Sequence, residues 1–327
     1  MKPQLPLRQI VRTLRDHPSI RGKLDIAQST ATLGLTSQSM GQPGDDCAVL
    51  PTQNGYDLFA CEGFINAFVQ ADPWFAGWCG VMVNISDILS MGGRPKAVTN
   101  AIWAPSAELA NPVLAGMKAA SQAYGVPIVG GHTNLHTDAL QLSVSILGHA
   151  ERIISSFSAK PGEVLICAVD LRGNYREPFD NWNAALTTPP QTLRAMLEIL
   201  PDLAQSGLVR TGKDISQGGI VGTALMLAEA SGVGIDIQVD ALPRPKDVDL
   251  ERWLRSFPSF GFLLSAQAED ADAICDTFMS RGVSAAVCGD IGNGSSVHLT
   301  GREGTALFWD YDRAPYLNLT PKEALHA

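Results

Sequence analysis

The chain has 327 residues, of which 45% are hydrophobic, 7% aromatic and only 17% charged. Soluble domains carry about 25% charge, so either part of this surface is covered by something other than water, such as another subunit, or the chain is a compact Ala/Gly-rich monomer. Twenty-four Lys and Arg against thirty-three Asp and Glu leave a net charge of −9, which repels phosphate backbones and argues against a nucleic-acid partner.

The length suits two domains. No apolar run reaches the roughly 18 residues that a membrane span needs. The opening segment, Met1 to Asp16, has basic residues every few positions and no apolar core, so it reads as a short amphipathic helix rather than a signal peptide. Six cysteines are scattered without a CxxC pair, mostly inside apolar runs. They fit buried thiols in a reducing cytoplasm better than a disulfide or zinc framework.

Short apolar runs alternate with longer helical periods, which gives an α/β or α+β class. Strands are expected at Cys47 to Pro51 and Leu58 to Cys61, around a turn at Asn54-Gly55. Pro73 opens a helix that runs through Ile88 and Leu89 to Gly92-Gly93. A strand follows at Ala97 to Trp103, then a helix from Glu108 to Tyr124 closed by Gly125. Val126 to Val129 reads as a buried strand running into Gly130-Gly131, and Leu140 to Leu147 as a further strand. The turn at Lys160-Pro161-Gly162-Glu163 marks the domain boundary, giving domains 1–160 and 161–327. Beyond it come a strand at Val164 to Val169, a polar segment from Arg172 to Pro190, and helices at Gln191 to Gln205 and Ile220 to Ser231. Later elements are a strand at Gly261 to Leu264, a helix at Ala268 to Arg281, and strands at Ala285 to Cys288 and Ser296 to Leu299. The pattern suggests a sheet with helices on one face.

Four stretches could carry chemistry. In GDDCAVL, Asp45 and Asp46 stand side by side before a strand; by itself the pattern fits a surface Asx turn, while the repulsion of the pair also suits a nearby cation or donor, magnesium being the oxygen-loving choice. In VNISDILSMGGRP, Asn84 and Asp87 share one face of an otherwise apolar helix, and either a neighbouring strand or a metal must satisfy them. In VGGHTN, two glycines permit close approach of a ligand or of another backbone, with His132 directly after them. His132 and His136 are four apart, but in a segment that reads as loop, so zinc is a poor candidate. In GKDISQGGI, Lys213 and Asp214 lead through glycines into a helix whose N-terminus favours anions. Gly207 to Lys213 spells GxxxxGK, but Asp214 replaces the Ser or Thr of a P-loop and a helical segment precedes it, so a P-loop is rejected.

In this order, GDDCAVL, NISDILSMGGRP, VGGHTN and KDISQGGIVGTALMLAEASGVGIDI resemble the aminoimidazole ribonucleotide synthetase (AIR synthase) superfamily. Its members include thiamine-monophosphate kinase, selenophosphate synthetase, formylglycinamidine ribonucleotide synthetase and HypE. The resemblance runs from about Gly44 to the end. Through YREPFDNWNAA and FPSFGFLLSA the chain is most similar to an AIR-synthase-related group associated with nitrilase-type gene clusters. It implies a two-domain, PurM-like α/β fold: an N-terminal domain that dimerises into a shared barrel, and a C-terminal α/β sandwich. ATP would lie between them, with magnesium held by carboxylates. Carried over by position, Asp45 and Asp46 match the metal-binding acids, and Asp87 with Asn84 matches the helix acid ahead of Gly92 and Gly93. Gly130, Gly131 and Thr133 lie at the phosphate-side motif, while Asp214 with Gly218 and Gly219 forms the C-terminal motif. Glu62 is a looser match to a strand acid.

Three positions depart from the kinase pattern. His132 stands where thiamine-monophosphate kinase has Asp, as looks similar in selenophosphate synthetase. Gln217 replaces the acid of its SDG motif, and Pro258-Ser259-Phe260-Gly261 replaces an acid-rich segment. These losses count against that kinase activity, and no glycine-rich N-terminal segment with a reactive Cys supports selenophosphate synthesis. The expectation is an ATP- and Mg2+-dependent kinase or synthetase acting on a small molecule. Asp45, Asp46, Asp87, Asp214 and Glu62 would serve as metal ligands, Lys213 would neutralise phosphate charge, and His132 would contact phosphate or move a proton. Arg172 to Trp182 is a candidate substrate loop. The alternative is a nucleotide- or partner-binding protein without turnover.

Overall fold

The computed structural model describes residues 6–36 and 38–318. The chain forms two compact units. One comprises Asp46–Ile153 and Thr188–Gln205; the other comprises the segment ending at Asp45, Ile154–Thr187 and the segment from Ser206 onward. Among the described residues the α-helices α1 (Leu7–Asp16), α2 (Pro18–Arg21) and α3 (Asp25–Thr32) precede the first strand. The first is the amphipathic helix expected from sequence, burying Leu7, Ile10, Val11 and Leu14 at helical spacing. Met1 to Leu5 of that expected segment lie outside the described residues.

The Asp46 unit is built on a five-stranded sheet in the order β1-β2-β5-β3-β4. Its strands are β1 (Ala48–Thr52), β2 (Gly55–Gly63), β3 (Arg94–Ala104), β4 (Ile128–Leu135) and β5 (Gln141–Ala150). β3 and β4 run parallel, as a helical crossover requires, and the other pairs are antiparallel. The sheet is open, with β1 and β4 at its edges, and closes no barrel by itself. Helices α4 (Asn66–Ala71), α5 (Pro73–Ser90) and α6 (Ala107–Tyr124) follow in chain order. Asp72 caps α5 by accepting the Phe75 N–H at 3.4 Å, and Pro73 fills the first turn. From Phe75 to Ser90 every residue of α5 is buried. It crosses α6 at close range: a Cβ at Gly77 would lie 1.9 Å from the Val113 carbonyl oxygen, and one at Gly116 would lie 1.8 Å from that of Trp74. Only glycine fits at either point.

The expected helix over 191–205 is two helices, α7 (Pro190–Met196) and α8 (Ile199–Ser206). Pro201 has no N–H to offer the Leu197 carbonyl, so one continuous helix would lose a bond there. The expected buried strand at 126–129 is also different. β4 starts at Ile128, runs through both glycines to Leu135 and is exposed along most of its length.

The second unit has a seven-stranded sheet in the order β15-β14-β10-β13-β6-β12-β9 and a small three-stranded sheet in the order β11-β8-β7. In chain order the strands are β6 (Val164–Val169), β7 (Asn174–Tyr175), β8 (Asn181–Asn183), β9 (Thr211–Asp214), β10 (Gly234–Gln238), β11 (Phe257–Pro258), β12 (Gly261–Ala266), β13 (Ser284–Gly292), β14 (Ser296–Gly301) and β15 (Gly304–Asp310). Its further helices are α9 (Gly219–Ser231), α10 (Leu250–Leu254) and α11 (Ala271–Met279). Leu165, Cys167 and Val169 of β6 join α1, α9 and α10 in one core. The alternate Ile166 and Ala168 are also buried, and α11 packs on β6 and β13. Strand period two puts these two sets on opposite faces, so helices cover both faces rather than the one expected. Two devices close this unit. Arg15 of α1 donates to the Leu307 and Phe308 carbonyls of edge strand β15, both at 2.6 Å, which blunts that edge. Glu229, buried in α9, accepts the backbone N–H groups of Tyr316 at 2.8 Å and Leu317 at 2.6 Å.

Candidate active site

The polar stripe of α5 is buried. Asn84 and Asp87 are 0% and 5% exposed. Asn84 donates through Nδ2 to the Gly80 carbonyl at 2.8 Å, while its Oδ1 is buried and accepts no hydrogen bond. An amide oxygen without a donor inside a protein costs about 1–3 kcal/mol, so an incoming donor or cation would be favoured there. The GDD segment reaches the same helix: the Cys47 thiol, next to Asp46, donates to the Asp87 carbonyl oxygen at 3.2 Å. The sequence stretches holding Asp46 and Asp87 therefore meet through backbone and thiol. Gly92 and Gly93, buried after α5, turn the chain into β3.

Glu62, Val144, Asn100 and Gly131 are successive cross-strand partners through β2, β5, β3 and β4. They share strand parity with the buried Leu58, Ala60 and Ile102, which places the row on the helix-covered face. A Cβ at Gly131 would lie 2.5 Å from Asn100 Oδ1, so strand neighbours already explain that glycine; Gly130 has open space around its Cα. Thr133 follows the parity of Gly131. His132 does not. It pairs with Ala101 on the opposite face, in a band with Phe59, Leu147 and Trp103. Gly130 to Thr133 thus occupy one sheet edge, while Asp46 precedes the strand at the other.

In the second unit Asp45 is the organising residue. Its Oδ1 accepts the Ser156 backbone N–H at 2.6 Å and its Oδ2 the Ser155 hydroxyl at 2.7 Å. Burial pushes this carboxyl above the usual range, opposed first by the Lys213 ammonium and then by the serine hydrogen bonds. Lys213 is 4% exposed and reaches the Gly44 carbonyl oxygen at 3.5 Å. Asp214, its neighbour on β9, is also buried, and its carbonyl accepts from Thr223 at 3.3 Å. Gly218 caps α9 with φ of 112°, and Gly219 has φ of 66° with Arg255 Cα only 2.3 Å from where a Cβ would sit. Both glycines are set by turn and packing. Gln217 is exposed, and Ser259 accepts the N–H groups of Ala184 and Ala185 at 3.0 and 3.2 Å.

The polar groups of the 172–182 segment are taken up by neighbours outside it, chiefly Arg252 and Ser256. Arg252 lies 3.6 Å from the Tyr175 ring centre and pairs with Glu177 at 2.9 Å and Asp180 at 3.0 Å, while Tyr175 Oη meets Ser256 Oγ at 2.6 Å. Trp182 donates to the Asp170 carbonyl at 3.1 Å. Among the described residues no group of three or more His, Cys, Asp or Glu could hold a metal ion, and no helix is long and apolar enough to cross a membrane.

Two family models match the chain: the AIR synthase related protein N-terminal domain over residues 44–150 and the corresponding C-terminal domain over 180–302. The chain belongs to the AIR synthase related family. An uncharacterized protein of Synechocystis sp. is 44% identical over 279 residues, covering 85% of this chain and 86% of its own length. One from Methanocaldococcus jannaschii is 33% identical over 318 residues, covering 94% and 98%. Among relatives with functional names, thiamine-monophosphate kinase of Synechococcus elongatus is 27% identical, covering 66% of this chain and 72% of its own. In solved structures the PurM-like fold recurs in T. maritima PurL complexed with ATP, with a TM-score of 0.76 at 16% identity, over 97% of this chain and 56% of that one. It recurs in AaThiL complexed with AMPPCP and TMP, with a TM-score of 0.65 at 21% identity, over 84% and 91%. This AIR synthase related chain thus spans about half of the PurL chain and nearly all of AaThiL.

Sequence reasoning missed Ser155 and Ser156, which hold Asp45, and Asn100, whose side chain fills the space beside Gly131. The signal for Asn100 was a polar residue among the apolar positions of a strand. The serines lie 110 and 111 residues from Asp45, with no local pattern to point to them.

Proposed function

We propose that this protein is an ATP- and magnesium-dependent enzyme that phosphorylates or activates a small molecule. The observation that carries this reading is the buried Asn84–Asp87 pair on α5, with Asn84 Oδ1 lacking a donor and the Asp46–Cys47 segment bonded to the Asp87 carbonyl. Family membership supports it: relatives bear the names of a monophosphate kinase, a dikinase and a synthase. Asp46 and Asp87 are the acids assigned to magnesium, with Asn84 as a neutral oxygen beside them. Magnesium bound there would offset the negative charge of the nucleotide phosphates. Lys213 and Asp214 keep their assignment to nucleotide chemistry through their motif match. Asp45 is assigned a positioning role, because each of its oxygens already accepts a hydrogen bond.

The protein's own work in this reading is orientation. The closely crossed α5 and α6 hold Asp87 and Asn84 at fixed rotation, and the exclusion of water around them strengthens their field. We assign a homodimer as the working form. The outward band of the five-stranded sheet carries Phe59 at 47% and Leu147 at 39% exposure, and the unpaired edge strand β4 carries Val129 at 63%. Together they make the kind of apolar surface and open edge that a second subunit covers.

The test is magnesium-dependent ADP release in a screen of small-molecule substrates. Release that disappears with Asp87→Asn supports the enzyme. One observation favours a second reading, a nucleotide binder without turnover: where the thiamine-monophosphate kinase pattern has an acid-rich segment this chain has Pro258-Ser259-Phe260-Gly261, and the Ser259 hydroxyl is used as a structural acceptor. That reading predicts a thermal shift with Mg-ATP, about 2.7 kcal/mol at a hundredfold excess over Kd, and no ADP with any substrate.

A further inference from the structure

We propose that the seven-stranded unit holds a second ligand site, and that it takes a small zwitterion of α-amino-acid to dipeptide size. The inference is independent of the nucleotide reading, since no residue assigned to ATP or magnesium lines this site. A cleft of about 590 Å³ opens beside the start of β6 and the end of β12. That volume falls within the range of small-molecule sites, about 300–1,000 Å³.

Four charged side chains line it: Lys160, Glu163, Arg210 and Asp270. Glu163 is already committed. Its carboxylate accepts the Lys160 backbone N–H at 3.0 Å, the Gln267 amide at 3.3 Å and the Ser265 hydroxyl. The side chains of Lys160, Arg210 and Asp270 make no hydrogen bond or ion pair among the described residues. The cleft therefore offers two unmatched cations and one unmatched carboxylate. A carboxylate of the ligand suits Lys160 and Arg210, and an ammonium suits Asp270. A simple inorganic anion would match the cations but would face Asp270 and Glu163, so the mixed charge selects a zwitterion. Phe157 and Leu208, both half-buried, supply apolar wall for the body of the molecule.

The walls are fixed before any ligand arrives. Gly162 donates to the Ile291 carbonyl at 2.9 Å, Ala159 donates to the Ser231 hydroxyl at 3.0 Å, and Ser155 donates to the Arg210 carbonyl at 3.0 Å. A preformed cleft loses little entropy on binding.

Calorimetry on the full chain tests this with each of the twenty proteinogenic amino acids, alanylalanine and inorganic phosphate as probes. At least one amino acid or the dipeptide should bind saturably. Arg210→Ala and Asp270→Asn should each weaken that binding at least tenfold, with unchanged melting temperature and an unchanged response to Mg-ATP. Three results overturn the proposal: no zwitterion binds, binding survives both substitutions, or phosphate binds at the cleft as tightly as any zwitterion.

Discussion

Asp45 Oδ1 accepts the Ser156 N–H at 2.6 Å, so the first acid of the GDD segment is bonded to the chain a hundred residues further on. Asp46, the second acid, belongs to the other unit and leads into the Cys47–Asp87 contact. Two adjacent carboxylates that look equivalent in sequence thus have different surroundings. Asp45→Asn should keep most magnesium-dependent ADP formation, because Asn retains an acceptor for Ser156 and the Ser155 hydroxyl can turn to accept. Asp46→Asn should lose about 10²-fold or more. Parallel turnover assays on the two variants decide it, and equal losses would remove the division of roles.

The same carboxyl gives a pH dependence. Burial, opposed by Lys213, holds Asp45 above the ordinary carboxylate range. The folded state then binds this proton more tightly than the unfolded chain. The contribution of Asp45 to stability is full below the ordinary carboxylate pKa and is lost as pH rises through the folded value. Asp45→Asn should therefore flatten the fall in stability from about pH 4 upward. Denaturant midpoints measured across that window, with the same slope in both proteins, would count against it.

Gly77→Ala and Gly116→Ala should each destabilise by about 1–3 kcal/mol or more, since the new methyl would meet backbone that cannot retreat. Gly130→Ala is the contrast: nothing lies within 4 Å of its Cβ position and its φ is not positive, so stability should hold or rise by about 0.4–1 kcal/mol. Urea midpoints for the three variants test the pattern.

Phe59 lies in the middle of the outward sheet band, opposite Leu147. Phe59→Lys should convert the proposed dimer to a monomer in sedimentation analysis, with little change in secondary structure. A monomeric parent protein, or a dimer mass unaffected by the substitution, would remove the assignment of this band to a subunit contact.

Much of this is legible in the amino-acid sequence. Polar side chains inside an apolar helix mark Asn84 and Asp87, because such groups need partners, and glycine with proline marks most element ends. Other parts are not. β9 reads Thr-Gly-Lys-Asp, a turn-like tetrapeptide, yet all four residues are buried; pairing with β12 overrides local preference. Two consecutive glycines made the strand appear to stop at Val129, whereas β4 continues through them. That continuation separates His132 from Gly131 by face, a distinction that only strand parity reveals.

The close crossing of α5 and α6 has one more effect. A helix turns about 100° per residue, so a slip of one position along α5 would swing Asn84 and Asp87 out of their present buried positions. Gly77 and Gly116 prevent it, because each accepts the other helix's backbone at one register only. The two least functional-looking residues of the helix pair act as its keyway, and the aim of the acid beyond them depends on hydrogen atoms that have no side chain in their place.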